Sequence, residues 1–393
     1  MEGSAAVTLN GAGHLPGLLY SEEENDLRAS VRALLEDRCG WQAVLVRTET
    51  GEPYDTGLWR ALAAELGCAG LLIPPEHGGA GGSYREACVV AEELGQYVAP
   101  VPYLGSSVVA TAALLAAGDT GMLARLAPGD VTAALAVPFA SMPGGPVAAA
   151  ARLARPRPGD LDRGVARLSG TVRGVADALP ADALLVPADG VPFGLYEVDA
   201  TAAGVTRTAL VSLDMTRQLC DVSLHEVPAR VIASGEAAER AVQAALAAGA
   251  VVLASEQLGL AERCLDMTVA YVRERRQFAR PVGSFQALKH RLADLWVSIT
   301  QARAAARYAA ACQSAGDPDT PVAVALAVSA CCEAAVAAAQ ECVQMHGGIG
   351  FTWEHPAHLY LKRAKSASIA FGTPDRHRAT LAAVARLPGA PAQ

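Results

Sequence analysis

No uninterrupted apolar run in the 393 residues approaches the roughly 20 residues that a bilayer span needs; the longest are 244–254 and 322–332. There is no basic segment followed by an apolar stretch near the start. The nine cysteines are scattered, odd in number and free of any C-x-x-C pair. These absences predict a cytoplasmic chain with reduced thiols, no secretory signal and no membrane span. A phosphate loop, a G-x-G-x-x-G fingerprint and a nucleophile elbow are also missing, which removes the common nucleotide and hydrolase signatures. Basic residues are outnumbered, 32 Lys and Arg against 40 Asp and Glu, and the net charge of −8 argues against a nucleic-acid or anionic-membrane partner.

What is present is a core: 52% of the residues are apolar and 18% charged, and the length predicts two or three packed units. Residues 1–128 read as helices with short breaks. Over 22–36, Leu27, Val31, Leu34 and Leu35 keep a helical spacing, and Ser21 stands ahead of Glu24 as a capping box. Residues 129–234 hold short β-favouring runs, VTAALAVPFA, VARLSGTV, ALLVPA, FGLYEV and LCDVSLHEV, parted by Pro, Gly and Asp. An exposed loop is expected over 154–163, and an alternating, half-buried strand over 194–199. Residues 235–393 turn alanine-rich, with helical periods starting near 237, 286 and 321 and a last helix over 376–385, which predicts an antiparallel four-helix bundle with broad oligomer contacts.

Few residues are arranged like a metal site. Cys342 and His346 are four apart on a helix but lack further ligands nearby, so core packing is expected and no metal. More informative is RERRQFARPVGSFQALKHRLADL, from Arg273. Its arginines at a helix end, followed by Gln277, Phe278 and a tight Pro281–Gly283 turn, suit either a phosphate group or a solvated helix end favoured by its dipole. In QMHGGIGFTWEHPAHLYLKRAK, from Gln344, Gly347 and Gly348 either stop a helix or let backbone amides approach a ligand.

Together these two runs resemble the acyl-CoA dehydrogenase family, where an R-x-x-F-G-x-P-[IV]-G-x-F-Q-x-x-K-H-x-x-A-D run precedes a Q-x-x-G-G-x-G-[FY] run. The Tyr20-Ser21-Glu22-Glu23 opening, LWRALAAELGCAGLLIPPEHGGAGG and the EELG at Glu92 are similar too, so the likeness covers nearly the whole chain. The wording is especially close to actinobacterial members, including heteromeric ones of steroid side-chain breakdown. The resemblance implies an α+β fold: an N-terminal helical domain, a middle β-barrel and a C-terminal four-helix bundle. It also implies FAD, an acyl-CoA substrate, an electron-transfer flavoprotein as electron acceptor, and a homo- or hetero-tetramer with flavin sites at subunit interfaces. By the same resemblance Arg275, Gln277 and Phe278 lie at the FAD pyrophosphate and Phe285 and Gln286 near the adenine. Gln344, Gly347 and Gly348 hold the ADP portion of a neighbour's FAD, and Thr373 also meets the cofactor.

The implied reaction is α,β-dehydrogenation: a carboxylate takes the α-proton while hydride leaves the β-carbon for the flavin. The sequence departs from the family where that base belongs. The loop that usually carries a Glu reads Ala370-Phe371-Gly372-Thr373, and the second familiar position falls on Gly249. Glu256 is therefore the candidate catalytic base. It follows Gly249 by seven residues on one helix, hence on nearly the same face, about 10 Å along the axis. Between Leu253, Ala254 and Leu258 its pKa is expected to rise; the plainer alternative is a salt bridge, for instance with Arg263. The runs that contact the flavin in the family are also changed, to LAVPFASMPGGP from Leu135 and to Gly174-Val175-Ala176, and Ala279 replaces the usual Gly. Three readings result: a dehydrogenase using Glu256, a non-catalytic partner subunit that completes a sibling's FAD site, or a flavin oxygenase of the same fold.

Overall fold

The computed structural model describes residues 17–50, 52, 54–147, 149–154 and 165–385. The chain enters through α1 (Glu22–Arg38), whose capping box forms as expected: the Ser21 hydroxyl accepts from the Glu24 amide at 3.1 Å and Glu24 accepts from the Ser21 amide at 2.7 Å. Helices α2 (Trp41–Thr48), α3 (Thr56–Arg60), α4 (Tyr84–Gln96), α5 (Thr111–Ala117) and α6 (Thr120–Leu126) complete this unit. A wide-turned helical stretch, Tyr103–Ala110, runs into α5.

Seven strands follow: β1 (Ala133–Leu135), β2 (Ala151–Leu153), β3 (Val165–Ala176), β4 (Ala183–Asp189), β5 (Gly194–Asp199), β6 (Val205–Ala209) and β7 (Leu219–Ser234). β4 pairs with β2, β2 with β3, β3 with β7, β7 with β5, and β5 back with β4, so five strands close a ring, with β1 and β6 attached to its rim. Long β7 makes closure possible because its first part pairs with β3 and its last part with β5. The alternation expected over 194–199 is only partly kept. Tyr196 and Val198 point into the barrel core, but Leu195 is buried as well, on the opposite face against the helices. From residue 155 the loop expected over 154–163 lies outside the described residues.

The last part is helical: α7 (Glu236–Glu274), α8 (Gln286–Ala315), α9 (Thr320–His346), α10 (Ala357–Ala367) and α11 (Pro374–Val384), with a small hairpin of β8 (Arg276–Gln277) and β9 (Arg280–Pro281) between α7 and α8. α7 runs unbroken through Gly249 for 39 residues. Two glycines let it cross α4 closely: a Cβ at Gly259 would stand 1.8 Å from the Glu92 carbonyl oxygen, and one at Gly95 2.1 Å from that of Glu256. α7 and α9 are long and apolar enough to cross a membrane by composition, but 89% and 67% of their apolar windows are buried inside the protein, as core helices are.

Candidate functional site

The end of α7, the β8–β9 hairpin, the first turns of α8 and the end of α9 enclose a groove of about 620 Å³. Arg275, Gln277, Gln344, Gly347 and Gly348 all line it, so residues almost 70 positions apart converge on one surface. Tyr271, Arg291 and His346 line it too. Tyr271 and Arg291 were missed in the sequence, although Arg291 lies inside the GSFQALKHRLADL run, and His346 was expected only to pack in the core. α9 stops because Gly347 takes φ 63°, and a Cβ at Gly347 or Gly348 would meet nothing within 4 Å. The missing side chains therefore open space toward the groove as well as ending the helix. The guanidiniums of Arg275 and Arg291, the latter also bound to Glu341 at 2.7 Å, and the carboxamides of Gln277 and Gln344 suit an anionic, hydrogen-bonding ligand such as the ADP end of FAD.

The hairpin beside the groove turns through Phe278 at φ 52° and Ala279 at φ 60°, both left-handed. Phe278 is thereby thrown out to 87% exposure, meets Phe285 edge-on at 6.1 Å, and the Arg280 guanidinium lies 3.9 Å over the Phe285 ring. Phe278, Phe285 and the exposed Gln286 thus flank the groove rather than line it. Thr373 stands elsewhere, as the N-cap of α11, accepting from the Arg376 amide at 3.4 Å.

A second region forms where the barrel meets α7 and the loop between α10 and α11. Phe371, at φ 50°, donates its backbone N–H to the Phe139 carbonyl at 2.9 Å, and the two rings pack edge-to-face at 5.5 Å. Its carbonyl oxygen accepts from His377 Nε2 at 2.9 Å. The Phe371 ring fills the space before Gly249: a Cβ there would stand 2.5 Å from Phe371 Cζ and 2.9 Å from Val109 Cγ2. Leu135, Val137, Phe139, Ala176 and Phe371 share the wall of one cavity of only about 20 Å³, room for little more than one water. Three of the departures from the family pattern, at 135–139, 174–176 and 371, therefore meet in one place. What they leave there is a packed apolar seam that does not fit a tricyclic ring.

Glu256 occupies a third position, and here the expectation of a lone carboxylate with a raised pKa is overturned. It is 4% exposed and accepts from both nitrogens of the Arg217 fork, at 2.5 and 3.2 Å, and from Arg363 Nε at 2.9 Å. Arg363 also reaches Asp214 Oδ2 at 3.3 Å and Thr216 Oγ1 at 3.0 Å. Burial pushes the Glu256 carboxyl up, but the two guanidiniums outweigh it and hold the pKa down to about 2. The partner is not Arg263. α7, α10 and the segment leading into β7 are thus tied together through one buried anion. A carboxylate so strongly stabilised as an anion has little driving force to take a proton.

An acyl-CoA dehydrogenase N-terminal domain matches residues 21–131 and the C-terminal domain of the same family matches 239–385. The acyl-CoA dehydrogenase IpdE2 of Mycolicibacterium smegmatis is 36% identical over 356 residues, 90% of this chain and 96% of the relative. The chain belongs to the acyl-CoA dehydrogenase family. That family comprises oxidoreductases that use FAD, and its helical, sheet and helical order is the fold described above. Among solved structures, the acyl-CoA dehydrogenase fold recurs in a variant of the Tcur3481-Tcur3483 steroid ACAD, with TM-score 0.80 and 31% identity, covering 93% of this chain and 98% of that one. It recurs also in the ChsE4-ChsE5 complex from Mycobacterium tuberculosis, with TM-score 0.83 and 27% identity, covering 95% and 100%.

Proposed function

We propose that this chain works within a heteromeric acyl-CoA dehydrogenase as the subunit without a base. It lends the Arg275–Gln344 groove to the ADP end of FAD, while a non-identical sibling supplies the ring site and the carboxylate. The assembly would carry out α,β-dehydrogenation of an acyl-CoA thioester, in which bound FAD accepts the hydride, and would pass electrons to an electron-transfer flavoprotein. The observation that carries this reading is the Phe371–Gly249 contact: both positions that hold a base in relatives are apolar here, and the Phe371 ring fills the space before Gly249. Two of the similar structures bear paired names, ChsE4-ChsE5 and Tcur3481-Tcur3483, which supports assembly from two kinds of chain.

The test is to prepare the chain alone and with its neighbouring gene product, then record mass, flavin absorbance and anaerobic bleaching by acyl-CoA thioesters. The expected result is no bleaching by the chain alone and a yellow, bleachable complex with the sibling. A chain that binds FAD by itself, bleaches with a thioester and loses this in Glu256→Gln would instead make Glu256 the base. Oxygen consumption without enoyl product would favour the flavin oxygenase.

A further inference from the structure

α7, the start of α9, α11 and the loop at 142–144 enclose a cleft of about 530 Å³ that shares no lining residue with the groove. Its volume falls within the roughly 300–1,000 Å³ of small-molecule sites. Val324, Ala325 and His377 form a buried floor, while Gly144 and Pro321 make an exposed rim that opens it to solvent. None of the lining side chains is charged, because burial lowers the pKa of His377 and leaves its ring neutral at pH 7. The polar side chains are already engaged with backbone. Gln243 accepts from the Gly144 amide at 2.7 Å and donates to the Gly145 carbonyl at 2.8 Å. Thr320 and Thr380 donate to the Asp317 and Arg376 carbonyls at 2.6 and 3.2 Å, and His377 Nε2 to the Phe371 carbonyl at 2.9 Å. Nor does the N-terminus of α9 offer anything to an anion: Pro321 has no N–H, and the amides of Thr320, Val322 and Ala323 go to the Asp317 and Asp319 carbonyls at 2.9 to 3.0 Å.

We infer that this cleft binds an uncharged, apolar small molecule, held by packing rather than by hydrogen bonds. A carboxylate or phosphate placed in it would give up water and find neither a countercharge nor a free donor, so the nucleotide end of an acyl-CoA is excluded. An apolar guest loses nothing of that kind and takes the floor out of water. The walls stand without a guest. Gln243 clamps the loop at 144–145 to α7 on one side. On the other, Gly372 lets Met142 and His377 close in: a Cβ there would stand 2.9 Å from Met142 Cγ and 3.0 Å from His377 Nε2. The site is therefore preformed, and binding has little ordering to offset.

The full chain, without flavin or sibling, is brought to dialysis equilibrium with decanol, decanoate and coenzyme A, so that failure here leaves the heteromer reading untouched. Decanol should bind saturably, decanoate about tenfold or more weakly by comparison, and coenzyme A should not compete with decanol. Ala247→Phe fills the cleft and should weaken decanol binding about tenfold or more, with far-UV circular dichroism checking that the variant folds. On the unaltered chain a neutral alkyl diazirine should label peptides around Ala247, Val324 or Thr380, which decides the matter without the variant. No saturable uptake of decanol, equal affinity for decanoate, competition by coenzyme A, label confined to other peptides, or a folded Ala247→Phe that binds decanol as the wild type does overturns the proposal.

Discussion

The groove at Gly347 and the seam at Gly249 meet the end and the middle of the same long helix, α7, yet their glycines do opposite work. At Gly347 and Gly348 the missing side chains leave open space. At Gly249 the missing side chain is already replaced by the Phe371 ring. A glycine in a binding motif therefore says nothing about vacancy until its neighbours are known. The groove keeps the chemistry of an anion site, and the seam has exchanged polar chemistry for packing.

The sharpest way to break this contrast lies at Glu256, beside the seam. Glu256→Gln keeps the shape but leaves Arg217 and Arg363 facing each other without their anion, and should lower unfolding stability by about 3–5 kcal/mol in urea. The pH dependence follows with a definite sign. The carboxyl is held down to about 2 from an ordinary 4.5, so its contribution is complete above pH 4.5 and disappears as the pH falls toward 2. The wild-type protein should lose this stability over that window and the variant should lack the same component. Equal acid midpoints for the two would argue against the ion pair.

In the groove, Arg275→Ala should weaken binding of ADP, or retention of FAD by the heteromer, by about 1.5–3 kcal/mol, since a charge-assisted fork to phosphate is lost. Melting temperature should hardly move. Calorimetric titration that finds unchanged affinity would remove Arg275 from the site.

The glycines can be compared directly. Gly249→Ala places a methyl 2.5 Å from the Phe371 ring and should destabilise by about 1–3 kcal/mol, with part of the loss recovered in a double variant with Phe371→Leu. Gly348→Ala should change stability by no more than about 0.5 kcal/mol while weakening ADP binding. Similar melting shifts for both would erase the distinction between filled and open sites. In the hairpin, Ala279→Gly relieves a left-handed alanine at φ 60° and should add about 1 kcal/mol to thermal stability.

Much of the architecture could be read from the sequence because it rests on local patterns. The Ser21–Glu24 capping box and the five β-favouring runs recur in the structure, and the long helix expected from 237 runs through Gly249 without a break. β2 and β6 went unseen, since three and five residues carry too little periodicity. Five of the nine proposed cofactor residues line one groove, because motif wording ties them to helix ends. The environment of Glu256 could not be read the same way. Its seven-residue spacing from Gly249 concerns one helix, whereas its partners come from the segment before β7 and from α10.

The sequence by itself determined the three-part order, the helix ends that form the groove, and the absence of a carboxylate at 249 and 371, because these depend on residue identity and local period. Only the tertiary structure decided that Phe371 closes on Gly249 and that Glu256 is neutralised by two arginines. Those outcomes depend on which distant side chains share a volume of low dielectric, where the nearest countercharge sets whether a buried acid holds its proton.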